Sequence, residues 1–116
     1  MTDEQCLFCR IVEGEIPAEV VHETEHVLAF RDISPKAPTH VLVIPKRHIT
    51  SLGDAADDDA GLLGEVMIAA RDVARGAGVD EAGYRIVANT GDDGGQTVHH
   101  LHVHVLGGRN LGWPPG

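Results

Sequence analysis

The stretch QTVHHLHVHVLGG, residues 96–108, places His99, His100, His102 and His104 within six positions of a chain that has eight histidines in all. Histidine titrates near neutral pH, attacks phosphorus or carbonyl centres as a neutral imidazole, and binds metals. On a β-strand, residues two and four apart share a face. His100, His102 and His104 are therefore expected in a row, roughly 6 to 7 Å between neighbours by strand rise. Leu101, Val103 and Val105 would point the other way, into a core. Thr, Lys or Glu would serve as a polar face equally well, so three imidazoles there speak for chemistry. Just upstream, NTGDDGGQT (residues 89–97) supplies Gly91, Gly94 and Gly95, whose backbone can approach a ligand closely, and consecutive amides that can nest around an anion. Gln96 and Thr97 add side-chain donors. A glycine-rich loop by itself is more often only a turn; one that leads into a row of histidines is a stronger signal.

A second set of reactive side chains lies near the N-terminus. CLFC puts Cys6 and Cys9 one helical turn apart, so both thiolates can reach one ion and supply half of a tetrahedral zinc site. The chain has no third cysteine, which leaves histidine for the rest: His48 in KRHI and one histidine from the triad stretch. Two reduced thiols packed under a helix are the alternative. A thioredoxin-like redox pair would need a βαβ unit around it, which the sequence does not offer.

These groups must be positioned by a chain of 116 residues, enough for one domain, 1–116, with a modest core. Aromatic residues make up only 3%, so the core must come from Val, Ile, Leu and Ala, and dimerisation would add buried surface. The formal charge of −9 argues against a broad grip on nucleic acid or on an anionic membrane. No run reaches membrane-spanning length, and MTDEQCLFCR is polar and acidic, unlike a signal peptide. A cytoplasmic protein is expected. Apolar spacing at Leu7, Phe8, Ile11 and Val12 predicts a short helix ended by Gly14 and Pro17. EVVHE and HVLAFRD, split by TE, predict a hairpin. HVLVIPK reads as a strand closed by Pro45, GYRIVANTG as another, and HLHVHVLGG as the last. Leu62, Leu63, Val66, Met67, Ala70, Val73 and Ala74 recur at helical spacing within residues 51–78, with Asp57 to Asp59 suited to the first turn. The expected fold is α+β: a single antiparallel β-sheet of about five strands, with one long helix packed on it and a short N-terminal helix.

HLHVHVL fits the His-x-His-x-His-x-x pattern, with apolar x, of the histidine triad (HIT) family. AFRDISPKAPTHVLVIPKRHI, NTGDDGGQTVHHLHVHVLGG and the terminal WPPG resemble its Hint branch, the histidine triad nucleotide-binding proteins, over Cys6 to Gly116. The triad motif then spans 100–106 and the tail 109–116. The resemblance implies a two-fold homodimer of the HIT fold that binds purine nucleoside monophosphates and cleaves the P–N bond of nucleoside 5′-phosphoramidates through a nucleotidyl-histidine. His102 would be the nucleophile, with His104, His40 and Thr97 assisting. Asp32 would take the ribose, Phe30 and Ile33 would flank the base, and Asn89, Gly95, Gln96 and Thr97 would contact phosphate and ribose. Trp113 would reach the partner's site. Read alone, Phe30 and Ile33 suit a core, and Trp113 a tail anchor. Several bacterial relatives carry structural zinc on residues matching Cys6, Cys9, His48 and His100; His99 is the second choice for the last ligand. Other readings are a nucleotide-binding regulator with vestigial turnover, a dinucleoside polyphosphate hydrolase of the same family, and a metal-storage module.

Overall fold

The central strands carry unbroken apolar runs, Val27–Phe30 and Val41–Ile44, and only the last strand alternates, which is the pattern of strands covered on both faces. The computed structural model describes residues 5–116. Its strands are β1 (Val20–Glu23), β2 (Val27–Arg31), β3 (Thr39–Pro45), β4 (Tyr84–Val87) and β5 (Val103–Gly107). They form one sheet in the order β1-β2-β3-β5-β4, and every neighbouring pair is antiparallel. The β1–β2 turn is closed by Thr24, whose hydroxyl accepts from the amides of His26 and Val27. Central β3 is buried along its whole length. Its Val41 and Val43 join one core cluster, whereas Leu42 and Ile44 join another, as two-sided burial of a middle strand requires.

One sheet face is covered by α2 (Ala60–Gly76), which buries Val66, Ala69, Ala70, Val73 and Ala74. Those small side chains bring the helix close to Val27, Ala29, Val41, Val43, Val103 and Val105. The helix is shorter than the stretch 51–78 read as helical, and Asp57 to Asp59 lie before its first turn. Residues 52–54 and 57–59 instead form two separate 3₁₀ turns. Local side-chain bonds explain the break: Ser51 donates to Asp54, and the Asp59 carboxylate accepts from the Ala56 amide, contacts that favour turns and caps over helix interior. Met67, read as part of the buried stripe, is 48% exposed. It lies at the margin of the face that Ala70 and Val73 bury.

The opposite sheet face carries α1 (Leu7–Val12) with Phe8 and Cys9 turned inward. They pack with Cys6, Leu28, Phe30, Leu42 and Ile44. Here lies the main departure from the strand reading of the histidine stretch. Strand β5 starts at Val103, so His100 and His102 stand in the irregular segment before it. Leu101 is tied by its amide to the Ile49 carbonyl at 2.6 Å, not to a ladder. The imidazoles are also not on an open face: His100 is fully buried and His102 is 5% exposed. No helix among the described residues is long and apolar enough to cross a membrane.

Candidate active site and metal centre

Register brings His40 and His104 together. On the β3–β5 ladder, His40 pairs with Leu106 and Leu42 with His104, so the two histidines are diagonal neighbours on one face. Their rings meet through a single hydrogen bond, His40 Nε2 to His104 Nδ1 at 2.9 Å. The Lys36 amide donates to His40 Nδ1 at 3.0 Å, so that nitrogen carries a lone pair and Nε2 carries the proton. His40 therefore donates to His104 Nδ1, and the proton of neutral His104 resides on Nε2. Burial holds both imidazoles neutral. It lowers the His40 pKa against the pull of Asp32, 3.5 Å away. It also pushes His104 down to about 4, helped by His102 and His40.

His102 receives the opposite tautomer. Its Nδ1 lies 2.7 Å from the carbonyl oxygen of His100, and only an N–H can satisfy that contact. The other tautomer would set a lone pair against the oxygen, and a buried unsatisfied acceptor costs about 1–3 kcal/mol. At roughly tenfold per 1.4 kcal/mol, the Nδ1–H form dominates, leaving the lone pair on Nε2. Neighbouring rings are therefore set to different roles: a nucleophilic nitrogen on His102, and a donor N–H on His104, 5.1 Å away between centroids. Asp32, His40 and His104 also converge as potential metal ligands. The Lys36 amide takes one His40 nitrogen and the other donates to His104, so the two histidines form a hydrogen-bonded pair beside the Asp32 carboxylate.

The glycine-rich loop is arranged differently from the expected nest. Gly91–Gly94 form one helical turn, α3. The Gly95 amide donates to Asp92 O and the Gln96 amide to Gly91 O. Gly95 then reverses the chain at φ +84°, a conformation that glycine adopts freely. Gln96, expected to contact phosphate, is buried, and its amide group closes the loop instead. It accepts from the Gly91 amide and donates to the carbonyls of Thr50 and Val98. Thr97 is exposed and Asn89 half-buried. Phe30, implied as a base contact, is 3% exposed with its ring against Phe8 at 5.4 Å, so the core claims it. Ile33 is 98% exposed, free of that competition. Asp32 takes the Ser34 amide on Oδ1 at 2.7 Å, fixing the carboxylate beside His40. Trp113 is 81% exposed. The tail it belongs to is held by Arg85, which donates to the carbonyls of Leu111 and Gly112.

Cys6, Cys9, His48 and His100 meet at the other end of the histidine stretch. His100 Nδ1 lies 3.3 Å from Cys6 Sγ, 3.5 Å from Cys9 Sγ and 3.2 Å from His48 Nδ1, and His48 Nδ1 lies 3.3 Å from Cys9 Sγ. Ligands of a tetrahedral zinc ion stand about 3.3–3.6 Å apart for N–N and N–S pairs. The spacing fits. So does the outer contact: His100 Nε2–H donates to the Pro45 carbonyl at 2.8 Å, which turns the Nδ1 lone pair toward the cysteines in the way metal-ligating histidines are oriented. Burial pushes His100 down to about 4 against that hydrogen bond, so the ring is neutral and available as a ligand. His99 is exposed and is not in the cluster.

Residues 13–111 match the family model described as HIT domain. The chain belongs to the HIT family. An uncharacterized HIT-like protein of Synechococcus elongatus is 50% identical to this HIT chain over 113 residues, 97% of this chain and 98% of the relative. A HIT family hydrolase from Legionella pneumophila Philadelphia 1 is 55% identical, with a TM-score of 0.94 over 96% of this chain and 99% of that one. A histidine triad nucleotide-binding protein from Candida albicans is 34% identical, with a TM-score of 0.80 over 94% and 82% of the two chains. This HIT chain thus has the fold of the family's hydrolases. Three participants in its site escaped the reading of the sequence. The Lys36 amide and the Pro45 carbonyl are backbone groups with no residue-type signature. Phe8 looked like any apolar helix residue.

Proposed function

We propose that this protein is a nucleotide-binding hydrolase that cleaves the P–N bond of purine nucleoside 5′-phosphoramidates, such as adenosine 5′-monophosphoramidate. The observation that carries this reading is the pair of contacts from His102 Nδ1 to the His100 carbonyl and from His40 Nε2 to His104 Nδ1, from which a lone pair on His102 Nε2 beside a proton on His104 Nε2 is assigned. The names of its relatives add support, one a hydrolase and one a nucleotide-binding protein. His102 Nε2 attacks the α-phosphorus, forming an N–P bond as the P–N bond to the amine breaks. The departing amine takes up a proton from solvent, relayed by the Thr97 hydroxyl. His104 donates to a phosphate oxygen and His40 holds His104 in its donor tautomer. Water then attacks phosphorus and gives up a proton to solvent, the His102 N–P bond breaks, and the nucleoside monophosphate leaves with the lone pair restored to His102. Splitting one displacement into two is the advantage of a covalent nucleophile. Asp32 would take the ribose hydroxyls, Ile33 and Asn89 would border the nucleoside, and the partner's Trp113 would close the site in a homodimer.

Cys6, Cys9, His48 and His100 would hold a structural zinc ion. Zinc bound there supplies a cross-link between α1, the segment after β3 and the segment before β5; no phosphate chemistry is assigned to it. The test is release of AMP from adenosine 5′-monophosphoramidate by wild type and by His102→Ala, with and without EDTA. Wild type is expected to form AMP and to keep doing so in EDTA, and the variant to form none while still binding AMP. Wild type that binds AMP and releases nothing would instead describe a nucleotide sensor.

A further inference from the structure

The tautomer of His102 depends on where its ring lies, and the ring is held by a residue with no polar atom. Phe8 is 4% exposed and sits on the first turn of α1 between Cys6 and Cys9. Its ring stands 5.2 Å from the His102 ring at 85°, 6.0 Å from His100 at 65° and 5.4 Å from Phe30 at 77°. Near-perpendicular contacts of this kind are the favoured aromatic geometry and set the plane of each ring. His104 borders His102 as well, at 5.1 Å and 64°. The carbonyl that accepts from His102 Nδ1–H belongs to His100, and the His100 ring is itself gripped by Pro45 and the two cysteines.

We propose that Phe8 is a positioning residue for His102: the Cys6–Phe8–Cys9 turn holds the His100 carbonyl through the cysteines and the His102 ring through Phe8, so that Nδ1–H stays on the carbonyl and Nε2 stays free. The consequence for rate rests on the reading of His102 as the nucleophile; the consequence for the ring does not. A leucine at position 8 fills much of the space but presents no aromatic edge or face. The His102 ring would then turn about its Cβ–Cγ bond and lose the carbonyl bond for part of the time.

The experiment compares the protein as purified with Phe8→Leu, Phe8→Tyr and Ile44→Val. Ile44 lies in the same core cluster and controls for general loosening. Long-range proton–nitrogen spectra of the imidazoles, with the His102 signals assigned by their loss in His102→Ala, report the tautomer in the free protein. Wild type, Phe8→Tyr and Ile44→Val are expected to show a single Nδ1–H tautomer, and Phe8→Leu an average of two. In single turnover at saturating substrate, Phe8→Leu should transfer the nucleotidyl group about tenfold more slowly, as expected for a misplaced reacting group. A wild-type tautomer in Phe8→Leu, or an equal shift in Ile44→Val, would overturn the proposal. Should Phe8→Leu fail to fold, a mixed tautomer in Phe8→Tyr, which keeps the ring, would overturn it equally. A wild type without P–N hydrolysis would remove the proposed function while leaving the spectra to decide the role of Phe8.

Discussion

His104 shows how burial and hydrogen bonding select one protonation state. Its folded pKa is pushed down to about 4, first by burial and then by His102 and His40, whereas an unfolded histidine titrates near 6.5. Between those values the unfolded chain binds the extra proton. Stability is therefore fully present above about pH 6.5 and is lost as pH falls toward 4. Denaturation in urea at pH 7, 6 and 5, with EDTA present so that metal release plays no part, should show a smaller loss for His104→Gln than for wild type. Parallel losses in the two proteins would mean that other groups carry the acid sensitivity. Gln96 teaches the complementary lesson about residue type. An amide side chain next to a histidine row looks like a ligand donor. Burial decides otherwise, because leaving the Gly91 amide and the Thr50 and Val98 carbonyls without partners would cost more than a contact to ligand returns.

Among elements, those written in the pattern of apolar residues were legible and those written in backbone hydrogen bonds were not. The apolar run of β3, the TE hairpin and the apolar stripe of α2 appear where the residues place them, although α2 begins only at Ala60. Short links account for the antiparallel pairs β1–β2 and β2–β3, whereas the insertion of β5 between β3 and β4 does not follow from link length. The start of β5 was not legible, because HLHV alternates just as HVHV does. What removes His100 and Leu101 from the ladder is the demand of the cysteine cluster and the Ile49 carbonyl, groups distant in sequence. The two halves of the cluster come from α1 and from the segments flanking β3 and β5, so a bound ion would cross-link elements that otherwise meet by apolar contact. Elemental analysis should find one zinc per chain in wild type and none in Cys9→Ser. The thermal midpoint of the variant should drop by about 5 °C or more, the shift expected for a loss of roughly 1 kcal/mol in a domain of this size. Equal metal content in both proteins would sink the assignment.

For the whole molecule, the sheet ends in β4, whose outer edge has no strand partner among the described residues. All four of its residues are only half-buried. Beside it runs the tail fastened by Arg85, whose guanidinium lies 6.0 Å from the Trp113 ring. An edge strand with an exposed aromatic tail next to it suits a two-fold contact, which supports the homodimer proposed above. Sedimentation should give twice the mass of one chain, and Trp113→Ala should lower turnover while leaving that mass unchanged. A monomer with full activity would remove both the dimer and the cross-subunit role of Trp113. The central claim concerns a covalent bond, and it is tested most directly by trapping one. Acid-free quenching of wild type during turnover of adenosine 5′-monophosphoramidate, followed by peptide mass analysis, should find one AMP moiety on the peptide that contains His102 and none in His102→Ala. AMP production without any such adduct, or an adduct that persists in the variant, would contradict His102 as the nucleophile.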